Sequence, residues 1–330
     1  MKEVRLGLVG CGGFGNYHLN HLLRMEGVRV AALYSRNPFH LAKTGERVPG
    51  AVQYGNFSRM LEKERLDGLL ISLTPDGHGD FELQAARAGV PFYVEKPLGL
   101  SLEAVSQVAG EVEARGLLTS VGYQDRYSPV YGEIRKAIAG KKVGLVSGSW
   151  IDSMPGAPWW RRQSQSGGQM VEQCTHIVDA LRYLFGEVSS VFAWGNREIV
   201  ASVPDCDVDG CVSSLFRFES GVLGSVSSGC YLEWRKGARE VGLTIHAEDV
   251  KIHYDWGRRL RLETAEETRE IRYTQDWHVT AVEAFVQALR DGDASGIRSD
   301  YADGVKSLAV SLAVNRSLAS GMPEPVFPGR

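Results

Sequence analysis

No apolar run in this chain approaches the roughly 20 residues that a bilayer-spanning helix requires, so no membrane segment is expected. A strong excess of one charge sign is missing too. With 37 Lys and Arg against 40 Asp and Glu, the formal net charge is −3, and a chain without a basic excess gives no general reason to expect nucleic acid. Cysteine is sparse: Cys11, Cys174, Cys206, Cys211 and Cys230 are odd in number and irregularly spaced. That pattern gives no reason to expect a disulfide framework. Cys206 and Cys211 lie too far apart for a zinc knuckle, with no second Cys/His pair, so no metal is expected and a reduced, cytoplasmic compartment is the simplest reading. The apolar stretch Val4–Val9 is interrupted by Arg5 and runs into glycines without a small-residue cleavage site, so no targeting signal is expected. There is no repeat and no low-complexity tract.

What remains is an ordinary globular composition, and 330 residues are long for one core and usual for two domains. The first 120 residues alternate apolar runs with helical spacing: Val4–Val9, Asn16–Met25, Val28–Tyr34, Phe39–Arg47, Gly68–Leu73, Phe81–Ala88, Phe92–Val94, Leu102–Ala114 and Thr119–Tyr123. Such alternation predicts parallel strands with right-handed crossovers, an α/β doubly wound sheet. After Gly122 the grammar changes. Helix Val130–Ala139, strand Gly144–Ile151 and a helix over Met170–Leu184 lead into Val188–Asn196, Cys211–Glu219, Val222–Tyr231, Val241–His246, Asp249–Asp255 and Arg258–Thr264. Strand after strand without helices predicts a large, mostly antiparallel open sheet in an α+β domain. Helices Val279–Arg290 and Tyr301–Ser320 and a Pro-rich tail close the chain. The expected division is 1–120 for a dinucleotide-binding Rossmann domain and 121–330 for a substrate-binding and oligomerisation domain.

The segment Gly10-Cys11-Gly12-Gly13-Phe14-Gly15 follows the first strand and opens the first helix. Gly10 permits the tight turn, Gly12 lets the backbone approach a pyrophosphate, and Gly15 lets helix and strand pack closely. The pyrophosphate would sit on free N–H groups at the helix N-terminus. At the end of the second strand, where NAD-preferring loops place Asp or Glu, this chain has Ser35-Arg36. A hydroxyl and a guanidinium suit a 2′-phosphate, which favours NADP over NAD.

Gly10 to His18 in the pattern Gly-x-Gly-x-x-Gly-x-x-His, then Thr74-Pro75, Glu95-Lys96-Pro97 and Gly167-Gly168 to Asp179 occur in order. In these motifs the whole chain, including Arg126 in Gly122-Tyr-Gln-Asp-Arg-Tyr, resembles the glucose–fructose oxidoreductase, inositol dehydrogenase and rhizopine-catabolism (Gfo/Idh/MocA) family. The resemblance implies a Rossmann domain followed by an α/β domain whose open sheet forms the subunit contact of a homodimer or homotetramer. It implies a carbohydrate-like substrate whose secondary hydroxyl or carbonyl is oxidised or reduced. By the same analogy Lys96 is the catalytic lysine and His176 the partner acid/base. Thr74, Pro75, His78 and Glu95 join the glycine loop and Lys96 in holding the cofactor. The family commonly has Asp in place of Glu172 and glycine in place of Cys174.

The chemistry agrees. Hydride abstraction from a carbinol carbon requires a group to take the hydroxyl proton. Lys96 follows a buried strand and precedes Pro97, and a partly desolvated lysine can serve near neutral pH. Glu172, His176 and Asp179 fall at helical spacing, one stripe that would present an acid/base histidine oriented by Glu172. Asp179, Tyr123, Arg126, Trp160 and Arg161 are candidate substrate residues. In the run Trp159-Trp160-Arg161-Arg162 one indole could floor a sugar site and the arginines bind an anion, or the loop could pack at a subunit interface. Asp205, Asp207 and Asp209 read as solvated loop carboxylates, and His18 as packing near the cofactor loop without doing chemistry. Two other functions fit the same fold: a non-catalytic dinucleotide-binding regulator, and a glycosidase that uses a held nicotinamide for transient oxidation.

Overall fold

In the computed structural model, which describes residues 3–232, 239–274 and 277–327, the five early apolar runs become strands and a short, mostly exposed segment adds a sixth. These are β1 (Val4–Val9), β2 (Val28–Tyr34), β3 (Val52–Tyr54), β4 (Gly68–Ile71), β5 (Phe92–Val94) and β6 (Thr119–Val121). They form one parallel sheet in the order β3-β2-β1-β4-β5-β6. Crossovers are α1 (Gly13–Leu22), α2 (Pro38–Gly45), α3 (Phe57–Lys63), α4 (Asp80–Arg87) and α5 (Leu102–Arg115). Local chemistry sets their ends. The side chains of Asn37, Asn56 and Ser101 accept N–H bonds from the first turns of α2, α3 and α5, and Gly116 stops α5 in the left-handed conformation. Residues of β4 and β5 are all buried, as a sheet covered on both faces requires.

The first compact unit takes in Met1–Tyr127 and Trp277–Val305. Helix α10 (Trp277–Asp291) supplies Ala281, Val282, Phe285 and Val286 to the same apolar cluster as Leu6, Leu8, Leu19, Val30, Leu70 and Tyr93. Strand β3 and helix α3 have no counterpart in the sequence reading. Val52 and Gln53 of β3 are exposed, so the strand carries no hydrophobic pattern from which to find it.

The second unit takes in Ser128–Asp276 and Lys306–Arg330. It begins with α6 (Pro129–Ile138), β7 (Val143–Ile151), α7 (Gln163–Ser166), α8 (Gln169–Glu172) and α9 (Thr175–Phe185). Then come β8 (Val188–Asn196), β9 (Cys211–Phe218), β10 (Leu223–Gly229), β11 (Glu240–Ala247), β12 (Lys251–Asp255), β13 (Arg259–Glu263) and β14 (Thr268–Arg272). Helix α11 (Tyr301–Ser320) and β15 (Glu324–Pro325) end the chain's regular structure; residues 328–330 of the expected Pro-rich tail lie outside the described residues. The nine strands pair in the order β14-β13-β12-β11-β7-β10-β9-β8-β15, antiparallel except for β7 with β10. Strict alternation, as in β9 where Val212, Ser214, Phe216 and Phe218 are buried, gives the sheet one packed face and one open face. Every residue of α9 from Thr175 to Arg182 is buried. Ile177 and Leu181 lie against Gly148 of β7, and Ser307 of α11 bonds both Asp179 Oδ1 and Arg182 Nη1 at 2.7 Å.

Candidate active site

In the first unit the chain order of strands reverses about the β1–β4 pair, which places a ligand crevice at their carboxyl ends. Packing fixes two positions of the glycine loop. Gly10 has φ +99°, and a Cβ there would collide with the Ser72 carbonyl; a Cβ at Gly15 would collide with the Gly10 carbonyl. Gly12 and Gly13 face open space. Thus two glycines are demanded by the protein's own packing, while the middle ones leave a cradle at the α1 N-terminus. Asn16 completes it, its Nδ2 donating to the carbonyls of Cys11 at 2.9 Å and Gly12 at 3.0 Å. The sequence signal for Asn16 is weak, a poor helix former in the first turn of a helix. Cys11 is buried, its thiol pushed up to about 11 by desolvation, and Phe14 is half exposed on α1.

Ser35 follows β2, and its Oγ accepts the Asn37 N–H at 3.3 Å. Arg36 is exposed, its guanidinium against Gly77, whose Cβ would stand 2.8 Å from Nη2. After β4, Thr74 Oγ1 donates to Asp76 at 2.6 Å, Pro75 is buried, and His78 Nδ1 meets Glu82 Oε1 at 2.5 Å. After β5, Glu95 is buried and Lys96 half-buried; the Lys96–Pro97 peptide is cis. Since β1, β4 and β5 are adjacent and parallel, the loop, Thr74–His78 and Lys96 share one edge of the sheet.

In the second unit the expected single helix is broken. Helices α8 and α9 are separate, with Cys174 N bonded back to Gln169 O at 2.8 Å, so Glu172 and His176 do not lie on one continuous helical stripe. Gln169 causes part of this: its Nε2 donates to Trp150 O at 3.1 Å and Gly229 O at 2.7 Å, tying the start of α8 to β7 and β10. His176 is buried, stacked on Trp150 (centroids 5.6 Å apart, planes 22°) with Trp256 edge-on at 6.0 Å. Glu172 Oε2 accepts the Trp160 indole N–H at 2.8 Å. Trp160 is fully buried among Val200, Val208 and Cys230. Arg161 is half-buried and its carbonyl accepts the Asp207 N–H at 3.0 Å.

Several candidates are engaged within the fold. Asp179 bonds Ser307. Arg126 pairs with Asp303 at 2.6 Å and donates to Arg298 O at 2.8 Å. Tyr123 is buried. The three loop aspartates are not simply solvated: Asp205 pairs with Arg162 at 2.9 Å, Asp207 accepts Gln163 N–H at 2.5 Å and Asp209 faces Arg197 at 3.6 Å. Asp205 and Asp207 staple the segment that carries Trp160.

Fold and site define a nicotinamide-dependent oxidoreductase. Residues 4–123 match the model described as "Oxidoreductase family, NAD-binding Rossmann fold" and residues 131–253 the "GFO/IDH/MocA C-terminal domain". The chain belongs to the Gfo/Idh/MocA family, NAD-dependent dehydrogenases of sugar and inositol type that act on CH–OH groups. It is similar to the scyllo-inositol 2-dehydrogenase (NAD(+)) of Bacillus subtilis, 26% identical over 97% of this chain and 96% of that one. Similarity to the myo-inositol 2-dehydrogenase of Thermotoga maritima is 23%, over 96% of each. Among solved structures, the WlbA dehydrogenase of Bordetella pertussis, in complex with NADH and UDP-GlcNAcA, superposes with a TM-score of 0.84 at 22% identity over the whole of both chains. Among the described residues no helix is long and apolar enough to cross a membrane.

Proposed function

We propose that this enzyme oxidises a secondary hydroxyl of a cyclitol, sugar or related polyol, or reduces the corresponding carbonyl, with Lys96 and His176 as its acid/base groups. The observation that carries the reading is the placement of Lys96. A half-buried lysine stands at the carboxyl edge of the NAD-binding sheet, beside the strand ends that carry the open glycine cradle. The cradle fits a dinucleotide, held by N–H groups at the α1 N-terminus with Asn16 bracing the loop. When bound, the nicotinamide gives or takes the hydride. Lys96 Nζ takes the carbinol proton in oxidation and returns it in reduction. His176, fixed by Trp150, exchanges a proton with a substrate oxygen, and Glu172, held by Trp160, accepts a neighbouring hydroxyl. Ser35 and Arg36 at the end of β2 incline the site to a 2′-phosphate. The open face of the nine-stranded sheet, where Leu145, Leu215 and Leu223 are more than half exposed, is proposed as the contact between copies of a homo-oligomer.

The test is a panel of cyclitols, aldoses and sugar acids, each incubated with NAD and NADP while reduced cofactor is followed by absorbance. Stoichiometric production with at least one polyol supports the reading. Product without net cofactor reduction would instead indicate a glycosidase that oxidises transiently, and cofactor binding with no turnover across the panel a regulator.

A further inference from the structure

A buried polar cluster of the first unit joins the cofactor helix to the lysine loop. His18, on α1 one turn past Gly15, has no exposed surface. Its Nε2 lies 2.7 Å from Glu95 Oε1, and the Tyr93 hydroxyl donates to the same oxygen at 3.0 Å. The ring is walled edge-on by Phe14, Tyr17 and Tyr93, with centroids 5.5–5.6 Å away. Gly122 leaves room for the carboxylate: a Cβ there would come within 2.7 Å of Glu95 Oε2. A carboxylate this buried is costly unless hydrogen-bonded. Because it can only accept, the proton between the pair resides on His18 Nε2. Nδ1 has no hydrogen-bond partner among the described residues.

The backbone on either side of this carboxylate is already fixed, with Glu95 N–H bonded to Ile71 O at 2.8 Å and Gly122 N–H to Val94 O at 2.9 Å. The His18 bond therefore adds something a strand end does not need for its own sake. It ties residue 95, one position before Lys96, to the helix whose N-terminus cradles the dinucleotide. We infer that His18 is a positioning residue which, through Glu95, sets Lys96 in register with the bound cofactor. The inference rests on the assignment of Lys96 as the acid/base group.

The test uses the full chain, the polyol that turns over in the panel above, and NADH as the binding probe. Glutamine places an amide nitrogen where His18 has Nε2, and asparagine places one where it has Nδ1. His18→Asn should lower kcat about tenfold or more, with KM and NADH Kd changed less than about threefold, and His18→Gln should recover kcat to within about threefold. Adding Glu95→Gln to His18→Asn should cost less than about threefold more than Glu95→Gln alone, since the two act through one bond. Should His18→Asn not fold, Tyr93→Phe, which removes the second donor to that oxygen, carries the same expectation of a kcat loss at constant NADH Kd. Equal losses in the Asn and Gln variants, independent losses with Glu95→Gln, or unchanged kcat in His18→Asn each overturn the inference. Lys96→Met separates this from failure of the underlying reading. If it turns over like the natural chain, the assignment of Lys96 is wrong; if it is inactive while His18→Asn is not, only the positioning role falls.

Discussion

Trp160 Nε1 donates to Glu172 Oε2 at 2.8 Å, so a fully buried indole on a loop fixes a half-buried carboxylate four residues before His176. An aromatic that could have been a sugar platform is instead interior structure. Its polar edge holds Glu172 and its faces serve the core. Trp160→Phe keeps most of the packing and removes the donor. The expected result is a stability loss of about 1–3 kcal/mol together with a fall in kcat/KM, read by thermal unfolding and steady-state kinetics. A variant that loses stability but keeps kcat/KM would remove Glu172 from the site.

The glycines of the cofactor loop separate by mechanism. Gly15→Ala must push against the Gly10 carbonyl and should lower the melting temperature as well as NADH affinity. Gly12→Ala meets nothing within 4 Å, so it should melt like the natural chain and bind NADH at least about tenfold more weakly. Differential scanning fluorimetry and NADH titration distinguish the two. Equal melting temperatures for both variants would contradict the packing account of Gly15.

Much of this was legible in the chain, and what was not has physical causes. Val188–Asn196 and Tyr301–Ser320 are found as read, because period-2 alternation and a long apolar-periodic run survive any tertiary context. Strand β14, with only Ile271 partly sheltered, shows almost no pattern. Helix α10 was read as a helix, but nothing in its periodicity says which core it joins. The glycine loop, Glu95-Lys96 and His176 were legible as motifs. Their supports, His18 to Glu95 across 77 residues and Trp150 on His176, depend on which strands and helices meet in space. The break between α8 and α9 was likewise hidden, since Gln169 is held by carbonyls of two distant strands.

Arg36 is the proposed determinant of cofactor choice. Replacing it with Glu puts a negative charge where a 2′-phosphate would lie and removes a charge-assisted hydrogen bond worth about 1.5–3 kcal/mol, so the NADPH-to-NADH affinity ratio should fall roughly 10- to 100-fold. Isothermal titration at fixed salt measures it. An unchanged ratio would place Arg36 outside the site.

Buried thiols set an alkaline limit. Burial raises Cys11 from 9.0 to about 11 and Cys230 to about 12, so the folded chain holds protons that the unfolded chain releases. Their contribution is complete below pH 9.0 and declines as pH rises through about 11 and 12. Urea midpoints under reducing conditions should therefore drop above pH 9.0, and less steeply in a Cys11→Ala/Cys230→Ala variant. A midpoint that rises through this window would reverse the sign of the argument.

The open sheet face predicts assembly. Leu215→Arg, at a position 58% exposed on β9, should reduce the mass found by light scattering without lowering the melting temperature of the isolated chain. A natural chain that is already monomeric would refute the contact.

Lys96 is the proposed centre of the chemistry, and Lys96→Met, matched in shape but unable to carry a proton, tests that role most directly. NADH titration and steady-state turnover with the best polyol are measured on the same preparation. The prediction is NADH binding within about threefold of the natural chain and a kcat lowered by at least about 10²–10⁴-fold, the range general acid/base groups supply. Undiminished turnover with cofactor bound would contradict it.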